Sequence, residues 1–212
     1  MKDRTYVALG DSITAYRNNV KVYMEWLFEE RETLGFHRMI NNGIGGWNTL
    51  HLLDKLEERC LQHQPQFISI MLGTNDHAIY KGKEEPAVSL DQFKSNLREI
   101  VRQIRVSAHE RGNAAPYILL MSPPFIVTET NSAGTQASQI RLLNYVRAVH
   151  EMSVELDTGY LDVNAITAEA TLHDGQLYRD NYTDQNDGVH LNSVGQKWLV
   201  PFIRQICIEQ RA

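Results

Sequence analysis

The sequence predicts an α/β protein, a three-layer α/β/α sandwich around a five-stranded parallel sheet in the flavodoxin-like order 2-1-3-4-5. Two observations carry this. Short apolar runs of strand length alternate along the whole chain with longer stretches whose apolar residues recur at helical spacing. Such alternation implies parallel strands joined by crossover helices, a sheet covered on both faces. Right-handed crossovers then make 2-1-3-4-5 the economical strand order. A third observation concerns the ends of the runs, where turns rich in Gly, Asn and Asp follow. In open α/β sheets that carboxyl edge is where ligands sit.

The first strand is Tyr6-Val7-Ala8-Leu9, stopped by Gly10-Asp11-Ser12. Val20, Met24, Leu27 and Phe28 then recur at helical spacing, with Gly35 as the stop. A second strand runs from Phe36 to Asn41, and Leu50, Leu53 and Leu56 mark a second helix that closes near Pro65. Phe67-Ile68-Ser69-Ile70-Met71-Leu72 is the clearest strand, ending in Gly73-Thr74-Asn75-Asp76. Ser89-Leu90-Asp91-Gln92 has capping-box spacing and opens an amphipathic helix through Phe93, Leu97, Ile100, Val101, Ile104 and Ala108, ended by Gly112. Tyr117-Ile118-Leu119-Leu120-Met121 is a fourth strand, stopped by Pro123-Pro124. A helix follows from Gln136 to Leu156, then a short fifth strand, Tyr160-Leu161-Asp162-Val163. Capping-box spacing at Ser193 to Gln196 opens a last helical segment, in which Pro201 predicts a kink or two short helices. Two polar stretches, residues 125–135 and 174–187, read as long loops.

A chain of 212 residues, 42% hydrophobic, suits one domain over 1–212 with a real core. The net charge of −5, with no block of Lys or Arg, excludes nucleic acid as a first partner and disfavours an acidic membrane surface. No apolar run is long enough to span a bilayer, and no apolar leader precedes the first strand, so a cytoplasmic protein is expected. Self-association is left open. Cys60 and Cys207 are far apart and outside any Cys-x-x-Cys pattern, which suggests reduced thiols, with one disulfide between them as the alternative.

The loops after the first three strands open on one edge of such a sheet. They carry Ser12, the glycine-rich run from Asn41 to Thr49, and Asn75. The last loop brings Asp187-Gly188-Val189-His190 ahead of the final helix. Serine, histidine, carboxylate and amide donors are the parts needed for acyl transfer. A serine hydroxyl is a weak nucleophile until a base takes its proton, and a neutral His190 imidazole suits that task. Asp187, three residues earlier, can face the same way and hold the other ring nitrogen. The backbone N–H groups of Ser12 and Gly46 and the Asn75 amide are candidate donors to an oxyanion. Each part has a plain alternative: a helix cap at Ser12, a mere connection in the glycine run, an Asx turn at Asn75-Asp76. Of the other histidines, His37, His51, His63, His109 and His150 read as solvated or packed, while His77 and His173 lie near candidate loops without an interpretable spacing.

Taken together, these blocks resemble the SGNH (GDSL-like) hydrolases. Gly10-Asp11-Ser12 resembles the first block, Asn41 to Thr49 the second with Gly46 aligned to the oxyanion glycine (Gly43 or Gly45 if the register slips), Gly73-Thr74-Asn75-Asp76 the third, and Asp187-Gly188-Val189-His190-Leu191 the last. The resemblance spans residues 10 to 190 and implies the same three-layer fold. It implies Ser12 as nucleophile, Asp187 and His190 as its partners, Ser12, Gly46 and Asn75 as oxyanion donors, and no metal or cofactor. Departures are Ile13 in place of leucine and Trp47 directly after Gly46. The Trp47 indole either walls the acyl pocket or packs beneath the loop. Asp11, Trp47 and Phe125 are expected on the substrate side. No Gly-x-Ser-x-Gly elbow is present, which separates the chain from the ordinary α/β-hydrolases.

The expected activity is hydrolysis of a small-molecule carboxylic ester through an acyl-enzyme, with short acyl groups such as acetyl on a carbohydrate-like substrate ahead of lysophospholipids or thioesters. Two rivals come from other classes. Asp11, Asn75, Asp76, Asp187 and His190 contain oxygen and nitrogen ligands for a metal-dependent phosphoesterase, though with fewer tightly spaced ligands than such sites use. A catalytically silent module that binds acylated sugars is the other.

Overall fold

In a computed structural model of the chain, residues 4–126, 136–173, 182–183 and 188–211 are described. Five strands form one all-parallel sheet in the order β2-β1-β3-β4-β5: β1 (Thr5–Gly10), β2 (Arg38–Gly43), β3 (Phe67–Met71), β4 (Tyr117–Met121) and β5 (Gly159–Leu161). This is the order that the alternation of elements implied.

The central strands are apolar on both faces because both faces are covered. In β1, Tyr6 and Ala8 belong to one core, and Val7 and Leu9 to the other. The first core is closed by α1 (Tyr23–Glu29), α6 (Val163–His173) and α7 (Ser193–Glu209); the second by α2 (Thr49–Asp54), α3 (Leu56–Arg59), α4 (Leu90–Glu110) and α5 (Gln136–Glu155). Ser69, a hydroxyl in the middle of β3, is fully buried and meets the Tyr6 hydroxyl at 2.9 Å, so the polar atom is not left unpaired. Cys60 and Cys207 are free and buried in different cores, on opposite faces of the sheet. Burial pushes both thiols up to about 12, which makes them inert packing residues. Among the described residues, no helix is long and apolar enough to cross a membrane.

Besides the fifth strand, which begins one residue and ends two residues earlier than expected, the structure departs from the sequence reading in five places. The first helix starts at Tyr23, because Val20 pairs back with Arg17 in an isolated bridge. β2 lies two residues later than expected and ends on Gly43. The expected second helix is three short pieces: α2, α3 and a 3-10 turn, Leu61–His63, that stops at Gln64 in a left-handed conformation. Helix α6 was not expected. Its N-terminus is capped by Asp162, whose carboxylate accepts the Ala165 N–H at 2.9 Å, and the sequence reading had spent that residue on the fifth strand. Finally, α7 runs unbroken through Pro201 and is capped by Asn192 rather than Ser193. Pro201 and Lys197, whose carbonyl would lose its helical partner, are both exposed, so water can satisfy that group.

Candidate active site

β1 lies between β2 and β3, so the crossovers on its two sides run in opposite directions. The loops after these three strands therefore open together at the carboxyl edge. Gly10 is needed there because the chain is too close for a side chain. A Cβ on Gly10 would sit 2.3 Å from Thr14 Oγ1 and 2.8 Å from the Met71 carbonyl. Beyond it the chain winds tightly: the Asp11 carbonyl accepts the Thr14 and Ala15 N–H groups at 3.2 and 3.0 Å, and Asp11 Oδ1 accepts the Ile13 N–H at 2.8 Å. Ser12 is thereby lifted to a half-buried position at the top of the turn, and its own N–H has no partner among the described residues. Asp11 itself is buried, which pushes its carboxyl up to about 6; the Ile13 N–H works against that shift. It supports the serine turn from inside.

The second loop comes up against Ser12. Ile44 to Trp47 form a turn closed by the Trp47 N–H on the Ile44 carbonyl at 3.2 Å, with Gly46 at φ +79°. That positive φ at the third turn position favours glycine. The Gly46 N–H has no partner among the described residues, and a Cβ on Gly45 would lie 3.9 Å from Ser12 Cβ. Trp47 is half-buried. Its indole packs back on the following helices, stacked on His51 with ring centroids 6.2 Å apart and with the Arg59 guanidinium 5.7 Å from its ring.

Asn75 and Asp76 join the second and third loops. Asn75 Nδ2 donates to the Trp47 carbonyl at 2.9 Å, which orients the amide and occupies one of its two N–H bonds. Asp76 Oδ1 accepts the Thr49 N–H at 2.9 Å and the Thr49 hydroxyl at 2.5 Å, and Oδ2 accepts the Gly73 N–H at 3.1 Å. Asn96 on α4 donates to the same Thr49 hydroxyl at 2.9 Å. Burial raises the Asp76 carboxyl to about 6, with these donors opposing it. Both its oxygens are engaged by the protein itself, which leaves it a structural clasp rather than a ligand for a metal.

His77 is a second clasp that the sequence did not reveal. It is buried, donates from Nδ1 to the Thr74 carbonyl at 2.6 Å, and accepts from the Ser138 hydroxyl at Nε2, 3.1 Å away. Its own carbonyl accepts the Arg141 Nε–H at 2.6 Å. The Asn75 turn is thereby tied to α5. Desolvation holds the imidazole down at about 4, so it is neutral in the folded protein near pH 7. The unfolded chain takes up a proton near pH 6.5 that the folded chain refuses until about 4, so this residue's contribution to stability is lost as pH falls through that window. Replacing His77 by Leu is expected to destabilise the fold by about 2 kcal/mol at pH 7, since Ser138 and Thr74 lose a buried partner. Thermal unfolding at pH 7 and pH 4.5 should show the gap between variant and wild type narrowing at the lower pH.

His190 arrives from the far end of the chain. Its Nε2 lies 2.7 Å from Ser12 Oγ, across 178 residues of sequence. Both residues are half-buried, so the pair is open to a ligand. The neighbours of His190 are anchored: Val189 packs on Ile126, Leu142 and Val146, Leu191 is fully buried, and the Arg17 guanidinium donates to the Leu191 carbonyl. Asp187 and the polar stretches 127–135, 174–181 and 184–187 lie outside the described residues, as does the side chain of His173. Phe125 is half-buried against the first core, its N–H on Thr167 Oγ1 at 2.9 Å.

Known proteins resemble this chain in sequence and in fold. The sequence profile of the GDSL-like Lipase/Acylhydrolase family matches residues 8–198. An acetylxylan esterase of Geobacillus stearothermophilus is 27% identical over 215 residues, covering 97% of this chain and 85% of that protein. The human platelet-activating factor acetylhydrolase IB subunit alpha1 is 34% identical over 77 residues, 36% of this chain and 30% of that protein. Among solved structures, a catalytic mutant of the Geobacillus acetylxylan esterase superposes with a TM-score of 0.75 at 23% identity, covering 99% of this chain and 96% of that one. That likeness establishes the fold.

Proposed function

Since the chain belongs to the GDSL-like lipase/acylhydrolase family and is a serine ester hydrolase, we propose that it removes short acyl groups, acetyl foremost, from a carbohydrate-like alcohol through an acyl-enzyme on Ser12. The observation that carries this reading is the 2.7 Å contact of His190 Nε2 with Ser12 Oγ, beside two N–H groups without partners among the described residues and an amide held by its neighbour. His190 accepts the Ser12 proton as Oγ attacks the ester carbonyl, then returns it to the departing alcohol. Asp187 is assigned the role of orienting His190 through its other ring nitrogen. The Ser12 and Gly46 N–H groups and the free N–H of Asn75 receive the negative charge of the tetrahedral intermediate. Water, activated by His190, releases the acid in the second half-reaction. These steps are carried by the chain's own groups acting across 1–212 as one domain.

The choice of acyl group and alcohol is supported by the acetylxylan esterase relative, which matches this chain along nearly its whole length. The acetylhydrolase relative, matched over about a third of this chain, keeps lipid esters in play as the second reading. A series of p-nitrophenyl esters from acetate to laurate separates them, together with acetylated xylose and a lysophospholipid. kcat/KM is expected to be highest for acetate and to fall at least about tenfold by octanoate, since an acyl pocket shaped for acetyl obstructs the added methylenes. A maximum at octanoate or longer, or faster turnover of the lysophospholipid than of acetylated xylose, would transfer the reading to lipids.

A further inference from the structure

Gln196 lies on the first turn of α7, six residues beyond His190, and is completely buried. A glutamine side chain without solvent contact needs partners for both ends of its amide. It finds them on the far side of the chain. Nε2 donates to the Ile13 carbonyl at 2.8 Å, and Oε1 accepts the Tyr23 N–H at 3.0 Å. Ile13 is the residue directly after Ser12, and Tyr23 opens α1. The Tyr23 hydroxyl in turn reaches Thr14 Oγ1 at 3.3 Å, and Thr14 is the residue packed against Gly10.

The segment after Ser12 and the segment after His190 are thus joined through one buried amide. The joint has a rigid base on the α7 side. The Asn192 side chain caps the helix through the Val194 and Gly195 N–H groups at 2.9 and 3.0 Å, and the Gln196 N–H donates to the Asn192 carbonyl at 2.9 Å. Gly195 lets this turn press on the preceding chain, since a Cβ there would sit 2.2 Å from the Tyr182 carbonyl. A more peripheral link runs alongside, the Lys21 N–H to Ser193 Oγ at 3.0 Å, between half-buried residues.

We propose that Gln196 is the positioning residue for the Ser12–His190 pair, fixing the distance across which the proton moves. It touches neither the reacting atoms nor substrate. Proton transfer needs the two groups within hydrogen-bond reach, and displacement of about 1 Å is enough to lower turnover by roughly 100-fold. No other fully buried side chain among the described residues bridges the two segments by hydrogen bonds at both of its ends. The inference rests on the serine-hydrolase reading of this site, though not on which acyl group or alcohol it prefers.

The test is a pair of substitutions assayed on p-nitrophenyl acetate. Gln196→Met keeps the volume and removes both hydrogen bonds. Gln196→Leu likewise removes both hydrogen bonds, with a branched apolar side chain of similar size. Both are expected to unfold cooperatively, to lower kcat by about 30-fold with KM within about twofold, and to slow inactivation by a serine-directed phosphonate in step. Ser193→Ala, which cuts the peripheral link, is expected to stay within about threefold of wild type. If Gln196→Met does not fold, Gln196→Leu decides. Wild-type kcat in a folded Gln196 variant, or a loss confined to KM, overturns the proposal. Failure of the hydrolase reading is distinguishable, because the wild type itself would then show no turnover and no phosphonate reaction.

Discussion

Replacing Ser12 by alanine is expected to yield a folded protein that has lost turnover of p-nitrophenyl acetate by on the order of 10⁴-fold or more. The fold survives because the hydroxyl is not part of what holds the turn together. The turn is closed by the Asp11 carbonyl and carboxylate on the N–H groups of Ile13, Thr14 and Ala15, all of which alanine leaves in place. Ser12 is also half-buried at the open edge, so no core volume is removed. Only the oxygen that meets His190 at 2.7 Å is taken away. The residual rate should exceed that of buffer, since the backbone N–H at position 12, the Gly46 N–H and the Asn75 amide remain to receive charge. A matched measurement of kcat and unfolding temperature reads both halves of the expectation. Unchanged turnover with unchanged stability would remove Ser12 from the mechanism and leave the chain a binding module or a hydrolase of different design.

How much of this architecture is legible in the residues depends on the kind of signal. Strand order was readable because it follows from alternation and crossover handedness, which are properties of the whole chain. The turns were readable because Gly10, Gly46 and Gly73 punctuate it. Lengths and boundaries were less so. α6 escaped because its capping residue, Asp162, lies between the apolar Leu161 and Val163 and so reads as the polar position of an alternating strand, whereas the strand ends at Leu161. α7 passes through Pro201 because the orphaned carbonyl faces water, a matter of exposure that periodicity does not carry.

The least legible features are the clasps. Asp76 reads as a turn residue until Thr49 is seen on it, 27 positions away. His77 has no spacing that points to Ser138. Gln196 fits a capping box in sequence, and only its place on the apolar stripe with Leu199, Val200 and Ile203 hints that it is buried. Long-range hydrogen bonds between single polar groups leave no periodic trace, so they appear only once the chain is folded.

The same distinction governs what Asn75→Ala should do. The Asn75 amide has one N–H on the Trp47 carbonyl at 2.9 Å, an interaction made without any substrate. The other has no partner among the described residues and, in the proposed mechanism, meets an oxygen that carries little charge in the bound ester and nearly a full charge in the tetrahedral intermediate. Loss of a donor of that kind removes stabilisation realised mainly in the transition state, so kcat is expected to fall by about 10² to 10³ with KM nearly unchanged. The Trp47 contact adds a second consequence. Without the amide, the Trp47 carbonyl loses its partner and the loop bearing Gly46 is less firmly held, so the loss should lie toward the upper end of that range. Asp76 and Thr49 continue to join the two loops, which keeps the variant folded. Steady-state kinetics on p-nitrophenyl acetate separates the cases. A fall in kcat at constant KM assigns the amide to the transition state, whereas a rise in KM at constant kcat would make Asn75 a substrate-binding residue and leave the oxyanion to the two backbone N–H groups alone.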